Sequence, residues 1–375
     1  LTKQAKIAIA SVLKPLKDPR AYCRFGLSLR ETNKYKINII GFSTKNEANE
    51  KNIKFSTLFC KKRNHYSRLL SNLKLLKILF KDKPDILIVS TFELLPAGIL
   101  SKFFLKNRLI YDVQENHYSN IQQNKTQSGI LKFLSKSLVK IIESCSKPWV
   151  DHFFFAEACY RDELPKYIPY TVLENKFFGE SCPVTSSKES AGHHFRFLIS
   201  GTLTKVYGIL EGIQWFKEIN KHYPETTLHI IGHATLPDYK TQIESLALDH
   251  PAISIDISEF PVSYLSILKA YHHADINLMP YYQIPSIQPK IPSKLYESIA
   301  LLKPCLFSPN SKWKSISDMY PAGMELDFTD LTSATVQFQN FLQQKYFGKL
   351  PGQEVLWKSQ EQDFLEALER VCREG

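Results

Sequence analysis

Two doubly wound parallel-sheet α/β domains facing a cleft, with a C-terminal helix returning to the first, are what this sequence predicts. Three observations carry that expectation. Short β-branched runs alternate with stretches of helical period over most of the chain. Apolar strands covered on both faces are the mark of a parallel sheet with crossover helices. The alternation breaks once, in the polar stretch GESCPVTSSKESAGHH at 179–194, and then restarts. Finally, 375 residues are too many for one core and comfortable for two.

In the first half, KIAIASV (6–12) reads as a buried strand, 20–30 as a helix and 36–40 as a second strand. A helix at 67–81, the strand DILIV at 85–89, a helix at 94–105 and a strand at 108–111 follow. A helix over 130–144 and the strand VDHFFFA at 150–156 close the half. Beyond the polar stretch come strand 195–200, helix 207–221, strand 227–231 and helix 239–248. Helix 262–271, strand 275–279, helix 293–302 and strand 305–307 complete the second half. The last stretch, EQDFLEALERVCR (361–373), places Phe364, Leu365, Leu368 and Val371 on one helical face. No strand follows it, so that face is expected to pack back on the first domain. The expected organisation is a first domain at 1–178, a linker at 179–194, a second domain at 195–355 and the returning helix at 356–375. Open sheets bind ligands at the carboxyl ends of their strands, which puts the expected site in the cleft.

Composition narrows the function. With 43% apolar and 23% charged residues the chain is globular, and no apolar run reaches the ~18 residues of a spanning helix. Seven scattered cysteines without a CxxC pair read as reduced thiols and leave no structural zinc site. The opening run to Lys14 carries no small-residue cleavage site, so a cytoplasmic chain is expected. The net charge of +11 is uneven: residues 1–178 hold 31 Lys+Arg against 15 Asp+Glu, and the remainder 17 against 22. Zinc-finger spacing, RNP-type aromatics and a Gly-rich basic tail are all missing, which argues against nucleic acid. A phosphate-bearing metabolite or an anionic membrane surface fits the basic half better.

Motifs for familiar cofactors are absent: there is no Walker loop, no G-x-G-x-x-G after either first strand, no H-E-x-x-H and no G-x-S-x-G. What stands out is PKIPSKLYESIALLKP (289–304). With Pro292 in the first turn of a helix, the amides of Ser293 and Lys294 would point outward at the positive end of its dipole, a seat for phosphate. Lys294 adds a full charge. Glu297, one turn on, could accept two hydroxyl donors from a ribose, although a Glu–Lys pair also suits a solvated helix surface. The partner feature is the turn after strand 195–200, where Gly201 permits close backbone approach and Thr202, Thr204 and Lys205 offer donors to phosphate oxygens. An ordinary βα turn reads the same way. In the first domain, Lys14, Lys17, Asp18 and Arg20 follow strand one at the cleft edge. Asp112, Glu115 and His117 cluster at the end of the strand that begins at Arg108, with Glu93 as a near neighbour. Each of these acids also suits a helix cap or a surface charge.

The order of these features resembles the GT-B glycosyltransferases, specifically the retaining glycosyltransferase family 4. The similar segments are KDPR, PDILIVSTFELLPAG, RLIYDVQEN (against the family's YDxHE), LENKF, SGTLTKVYGILEGI, LHIIG, ADINLMPY and PSKLYESIALLKP. The resemblance implies two Rossmann-like domains, an acceptor domain followed by a donor domain. It implies sugar transfer with retention from a UDP- or GDP-linked donor to a glycan or lipid-linked acceptor, as in bacterial polysaccharide biosynthesis, with no cofactor and no bound metal. Glu297 matches the second glutamate of the family's E-x7-E and would hold the ribose. Gly201, Thr202 and Lys205 lie in the segment that contacts phosphate, and Ser293 and Lys294 would meet the diphosphate. Lys294, Lys205 and Glu115 are the implied catalytic groups. Asp18, Arg20, Glu93 and His117 fall on the acceptor side. Three departures stand out: Pro289 replaces the first glutamate of E-x7-E, Tyr207 and Thr202 replace basic residues, and Gln114 replaces the histidine of YDxHE. A subgroup written P-S-K-L-Y-E with Y-G-I is nearer, and there Lys294 substitutes for the lost cation. The departures also admit a catalytically silent sugar-nucleotide-binding subunit, or a related nucleotide-sugar epimerase.

Two basic amphipathic helices complete the expectations. Residues 66–83 carry Leu69, Leu70, Leu73, Leu76, Leu79 and Phe80 with Arg68, Lys74, Lys77 and Lys81, behind Lys61, Lys62 and Arg63. Residues 130–142 carry Leu131, Leu134, Leu138 and Ile141 with Lys132, Lys136 and Lys140. The apolar stripes are expected to cover the sheet. The lysines are expected to hold the protein on the inner face of the plasma membrane, binding anionic but not zwitterionic vesicles and releasing at high salt.

Overall fold

Runs of Ile, Val and Phe too apolar to face water on either side become the central strands of two parallel sheets. The computed structural model describes residues 4–60, 68, 70–123, 129–181 and 194–373. The chain divides into two units, Leu1–Phe178 with Trp357–Gly375, and Gly179–Leu356.

The first unit holds β1 (Ala5–Pro15), β2 (Tyr35–Phe42), β3 (Ile53–Phe59), β4 (Ile86–Val89), β5 (Arg108–Val113), β6 (His152–Phe155) and β7 (Tyr170–Val172), in the order β3-β2-β1-β4-β5-β6-β7. All pair in parallel; Ile7 of β1, for example, faces Ile37 of β2 and Ile86 of β4. A π-helical segment (Pro19–Leu27) runs into α1 (Ser28–Glu31), where the sequence predicts one α-helix. The connections are α2 (Ser71–Asp82), α3 (Leu95–Leu105), α4 (His117–Gln123), α5 (Gly129–Ser146) and α6 (Tyr160–Glu163).

The second unit repeats the plan with β8 (Arg196–Leu203), β9 (Thr227–Ala234), β10 (Ile253–Ser258), β11 (Ile276–Met279), β12 (Cys305–Phe307) and β13 (Gly323–Glu325), ordered β10-β9-β8-β11-β12-β13 and parallel throughout. Its helices are α7 (Ile209–His222), α8 (Pro237–Leu248), α9 (Tyr264–His273), α10 (Ser293–Ala300), α11 (Ser311–Asp318) and α12 (Ala334–Leu342). The final helix, α13 (Lys358–Arg373), belongs to the first unit. Trp357, Phe364, Leu368 and Val371 enter the core formed by β1, β2, β4 and the π-helical segment. Phe364 stacks on Phe25 at 4.5 Å, and the Trp357 indole donates to Ser28 Oγ at 2.9 Å.

The edge strands β3, β7, β10 and β13 and the helices α4, α6, α11 and α12 are additions to the sequence reading. β10 (ISIDIS) is half exposed and alternates, and β13 has three residues, so neither has the solid apolar run that marks a central strand. The helix expected from 207 starts at Ile209, because Gly208 takes a left-handed conformation at its N-cap. Most of the expected linker, 182–193, lies outside the described residues, as do 61–67 and Leu69.

One expectation is overturned. Leu131, Leu134, Leu138 and Ile141 of α5 do not cover the sheet; each is exposed, and Val139 faces inward instead. Glu143 decides the rotation of the helix. Its carboxylate accepts hydrogen bonds from Tyr111 (3.0 Å) and Tyr167 (3.3 Å), and the leucine stripe lies on the opposite side of the helix. On α2, Leu75 and Leu79 are buried while Leu70, Leu73 and Phe80 are exposed. Among the described residues no helix is long and apolar enough to cross a membrane.

Candidate active site

In the second unit the strand order reverses between β8 and β11, the position where open α/β sheets bind ligands. The sequence builds this corner from two glycines. Gly201 near the end of β8 has φ +99°, and a Cβ there would lie 2.5 Å from Lys294 Nζ, so the ammonium rests directly over the glycine backbone. Gly208 has φ +61°, and a Cβ would come within 1.8 Å of the Pro280 carbonyl oxygen. Bare backbone therefore lets the turn after β8 and the turn after β11 meet. Tyr207 stacks on Tyr281 at 4.4 Å, the Tyr282 amide donates to the Val206 carbonyl at 3.0 Å, and the Tyr282 hydroxyl donates to Glu211.

The helix α10 begins beside this junction. Pro292 is its N-cap rather than its first residue, with an extended backbone, and Ser293 opens the helix. Asn277 of β11 donates to Ser298 Oγ at 2.9 Å, which fixes the depth of α10 against the sheet. The loop in front is braced by α11: Trp313 Nε1 donates to the Lys290 carbonyl (2.6 Å), Asn310 Nδ2 to Gln288 (3.0 Å), and Lys312 Nζ to the carbonyl of Pro289 (3.2 Å). Glu297 is 5% exposed, and among the described residues nothing donates a hydrogen bond to its carboxylate. Two tyrosine hydroxyls, Tyr271 and Tyr281, are raised well above their ordinary range, first by burial and then by the Glu297 charge. A carboxylate that the fold leaves without a donor can accept hydroxyl groups, and the lysine one turn away at the helix N-terminus can meet a phosphate. Thr202 is half-buried on β8 opposite His233, and Lys205 is exposed in the single turn Lys205–Tyr207. Gly201, Lys294 and Glu297 are thus gathered at one corner. The sequence gives no signal for the Tyr207–Tyr281 stack beyond the tyrosine pair that follows β11.

In the first unit, the reversal falls between β1 and β4. Here Asp18 and Arg20, read as acceptor-side residues, are engaged within the fold. Asp18 caps the π-helical segment, accepting from the amides of Arg20 (2.9 Å) and Ala21 (3.1 Å). Arg20 is buried, paired through Nε and Nη2 with Asp112 (2.9 and 2.6 Å), and donates from Nη1 to the Leu173 carbonyl (2.6 Å) and Asn175 (3.2 Å). Its guanidinium lies over the Phe25 ring. Asp112 is fully buried and also accepts from Ser90 (3.2 Å) and Gln114 (2.8 Å), so its oxygens are occupied. Arg24 extends the clamp, donating to the carbonyls of Lys176 and Asn175. This network positions the carboxyl ends of β1, β5 and β7. Glu93 is paired with Arg68, a partner missing from the sequence reading. Glu115 is exposed, accepts from Asn120 Nδ2 at 3.1 Å and lies 4.0 Å from His117 Nδ1. His117 sits edge-on to Phe92 at 4.9 Å, bringing the ends of β4 and β5 together. Glu115 and His117 are thus a second pair of first-unit candidates that the fold brings to one place.

No family model matches the chain, and no curated protein matches it. Solved structures do. Sucrose-phosphate synthase from Thermosynechococcus elongatus is 11% identical with a TM-score of 0.73, over 99% of this chain and 100% of that one. Anabaena HepE, in complex with UDP and glucose, is 12% identical with a TM-score of 0.65, over 98% and 100%. UDP-GlcNAc 2-epimerase from Neisseria meningitidis, bound to UDP-GlcNAc, is 14% identical with a TM-score of 0.55, over 97% and 100%. At these identities the likeness is one of fold. The chain has the GT-B fold, two parallel-sheet α/β domains of seven and six strands.

Proposed function

We propose that the chain is a glycosyltransferase that moves a sugar from a nucleotide-sugar donor to a glycan or lipid-linked acceptor. The observation that carries this reading is the corner where Lys294 Nζ lies over Gly201 and Glu297 is buried without a donor. In the reaction the bond from the anomeric carbon to the diphosphate breaks, and negative charge grows on the leaving phosphate. Lys294 and the α10 amides of Ser293 and Lys294 face that charge and stabilise it where it develops. Exposed Lys205 supplies a second cation. Glu297 accepts the ribose hydroxyls, which supply the donors its carboxylate lacks in the fold. Glu115 and His117 receive the acceptor hydroxyl. HepE with UDP and glucose, and the epimerase with UDP-GlcNAc, favour a UDP-linked donor. Retention and metal-independent turnover complete the proposal, with Lys294 and Lys205 acting as the counter-charges.

The epimerases among the structures of this fold favour one second reading, a nucleotide-sugar epimerase. Incubation with UDP- and GDP-sugars separates the two. Acceptor-dependent release of nucleoside diphosphate is expected; interconversion of the sugar would establish the epimerase, and binding without turnover a silent subunit. Turnover is expected to persist in EDTA, whereas loss in EDTA and recovery with magnesium or manganese would remove Lys294 and Lys205 from their assigned role.

A further inference from the structure

Among the described residues, the first unit exposes an apolar surface that its helices and sheet do not bury. On α5, Ile130, Leu134, Leu138 and Ile141 follow one another at four, four and three residues along the outward face, with Ile130 80% exposed. On the neighbouring α3, Leu100, Phe103 and Phe104 recur at the same helical spacing, with Phe103 71% exposed. The Phe104 ring contacts Phe80 of α2 at 6.1 Å, and Leu73 extends that stripe. Three adjacent helices thus turn apolar side chains to solvent, far beyond the scattered exposed leucines of an ordinary surface.

The charges around this surface name its occupant. The three helices carry seven lysines and two acids. Both acids are engaged inward or sideways: Asp82 with Lys54 (2.8 Å), and Glu143 with Tyr111 and Tyr167. Lys74, Lys77, Lys81 and Lys140 are exposed. A second copy of the chain would set these lysines against one another, and protein interfaces are depleted in lysine. A bilayer whose headgroups are anionic accepts both features at once, lysines among phosphates and Phe and Leu at the acyl boundary. We infer that the α2–α3–α5 face seats the protein on an anionic phospholipid bilayer by apolar insertion, with the lysines as its electrostatic rim.

Co-sedimentation with phosphatidylcholine vesicles, with and without phosphatidylglycerol, tests this without donor or turnover, so it stands apart from the glycosyltransferase reading. The chain is expected to pellet with phosphatidylglycerol vesicles and to keep a bound fraction at high salt, since apolar insertion is not screened. Phe103→Asp with Leu134→Asp should lower partitioning at least about tenfold with an unchanged melting temperature, both side chains being exposed. Lys77→Gln with Lys140→Gln should weaken binding at low salt and leave the high-salt fraction. Absence of binding at low salt, complete release at high salt, or a double aspartate variant that pellets like the wild type would each overturn the inference. So would a dimer in vesicle-free buffer that the aspartate variant abolishes, because a second copy would then cover the face.

Discussion

Glu297 is 5% exposed as a residue, and among the described residues no hydrogen bond within the fold engages its carboxylate. A residue retained for structure would lose stability on removal; this one should not. Glu297→Ala is expected to leave the melting temperature unchanged or higher while weakening UDP binding by about 1–3 kcal/mol, the worth of charged hydrogen bonds. Calorimetric titration and a thermal melt check it, and a fall in stability without a fall in affinity would return the residue to the fold. In the proposed reaction the charge Lys294 would meet grows in the transition state, so Lys294→Ala should lower turnover more than binding. His152 gives a separate pH prediction. It is buried on β6, with Nε2 2.9 Å from Thr171 Oγ1, and burial lowers its pKa to about 4, with the Arg370 charge adding to the effect. The unfolded chain binds this proton near pH 6.5 and the folded chain does not, so the stability is full above 6.5 and falls as pH drops toward 4. Urea melts should show about 2 kcal/mol less stability at pH 5 than at pH 7 from this group. His152→Leu should remove that part of the slope, and an unchanged slope would show that His152 takes up its proton in the fold.

At the scale of elements, the second-unit corner depends on two turns that touch through bare backbone. Gly208→Ala would place a methyl group against the Pro280 carbonyl at a φ of +61°. The left-handed conformation alone costs about 1–2 kcal/mol, and separating the turns would add to it. The expected result is a lowered melting temperature together with weakened UDP binding; loss of neither would mean that the two turns move independently. This junction also shows what a sequence can and cannot yield. The central strands were legible because ILIV and HFFF permit only a buried strand, and PSKLYE was legible as a helix start because Pro292 and Ser293 punctuate it. β10 was not, since alternating ISIDIS looks like surface until the sheet beside it is known. Arg20 and Asp112 stand 92 residues apart, and each alone resembles a surface charge at a strand end. Only the fold shows that they neutralise each other. The rotation of α5 was equally hidden, because the sequence does not tell that Glu143, rather than the leucines, turns toward the sheet.

For the whole molecule, the decisive feature is that the first unit is built from both ends of the chain, with the second unit inserted between them. Trp357 and α13 are part of its core rather than an appendage. Phe364 is fully buried between Phe25, Phe154 and Trp357. Ser28 links the two ends, accepting from the Trp357 indole 329 residues away and donating to Glu361 at 2.6 Å. The unit therefore cannot complete its core until α13 is in place, whatever the state of β1 to β7. Phe364→Ala in the full chain should cost about 3–5 kcal/mol, the range for deleting a buried aromatic ring. The loss should be confined to one unit. Hydrogen exchange is expected to quicken in β1, β2 and the π-helical segment while β8 and β9 keep their protection, since among the described residues α13 belongs to the first core and the second core holds none of its side chains. Removing residues 357–375 should produce the same pattern more strongly, with UDP binding at the second-unit corner retained. Equal loss of protection in both units would show instead that they unfold as one body, and unchanged protection in β1 would show that α13 only rests on a core already complete.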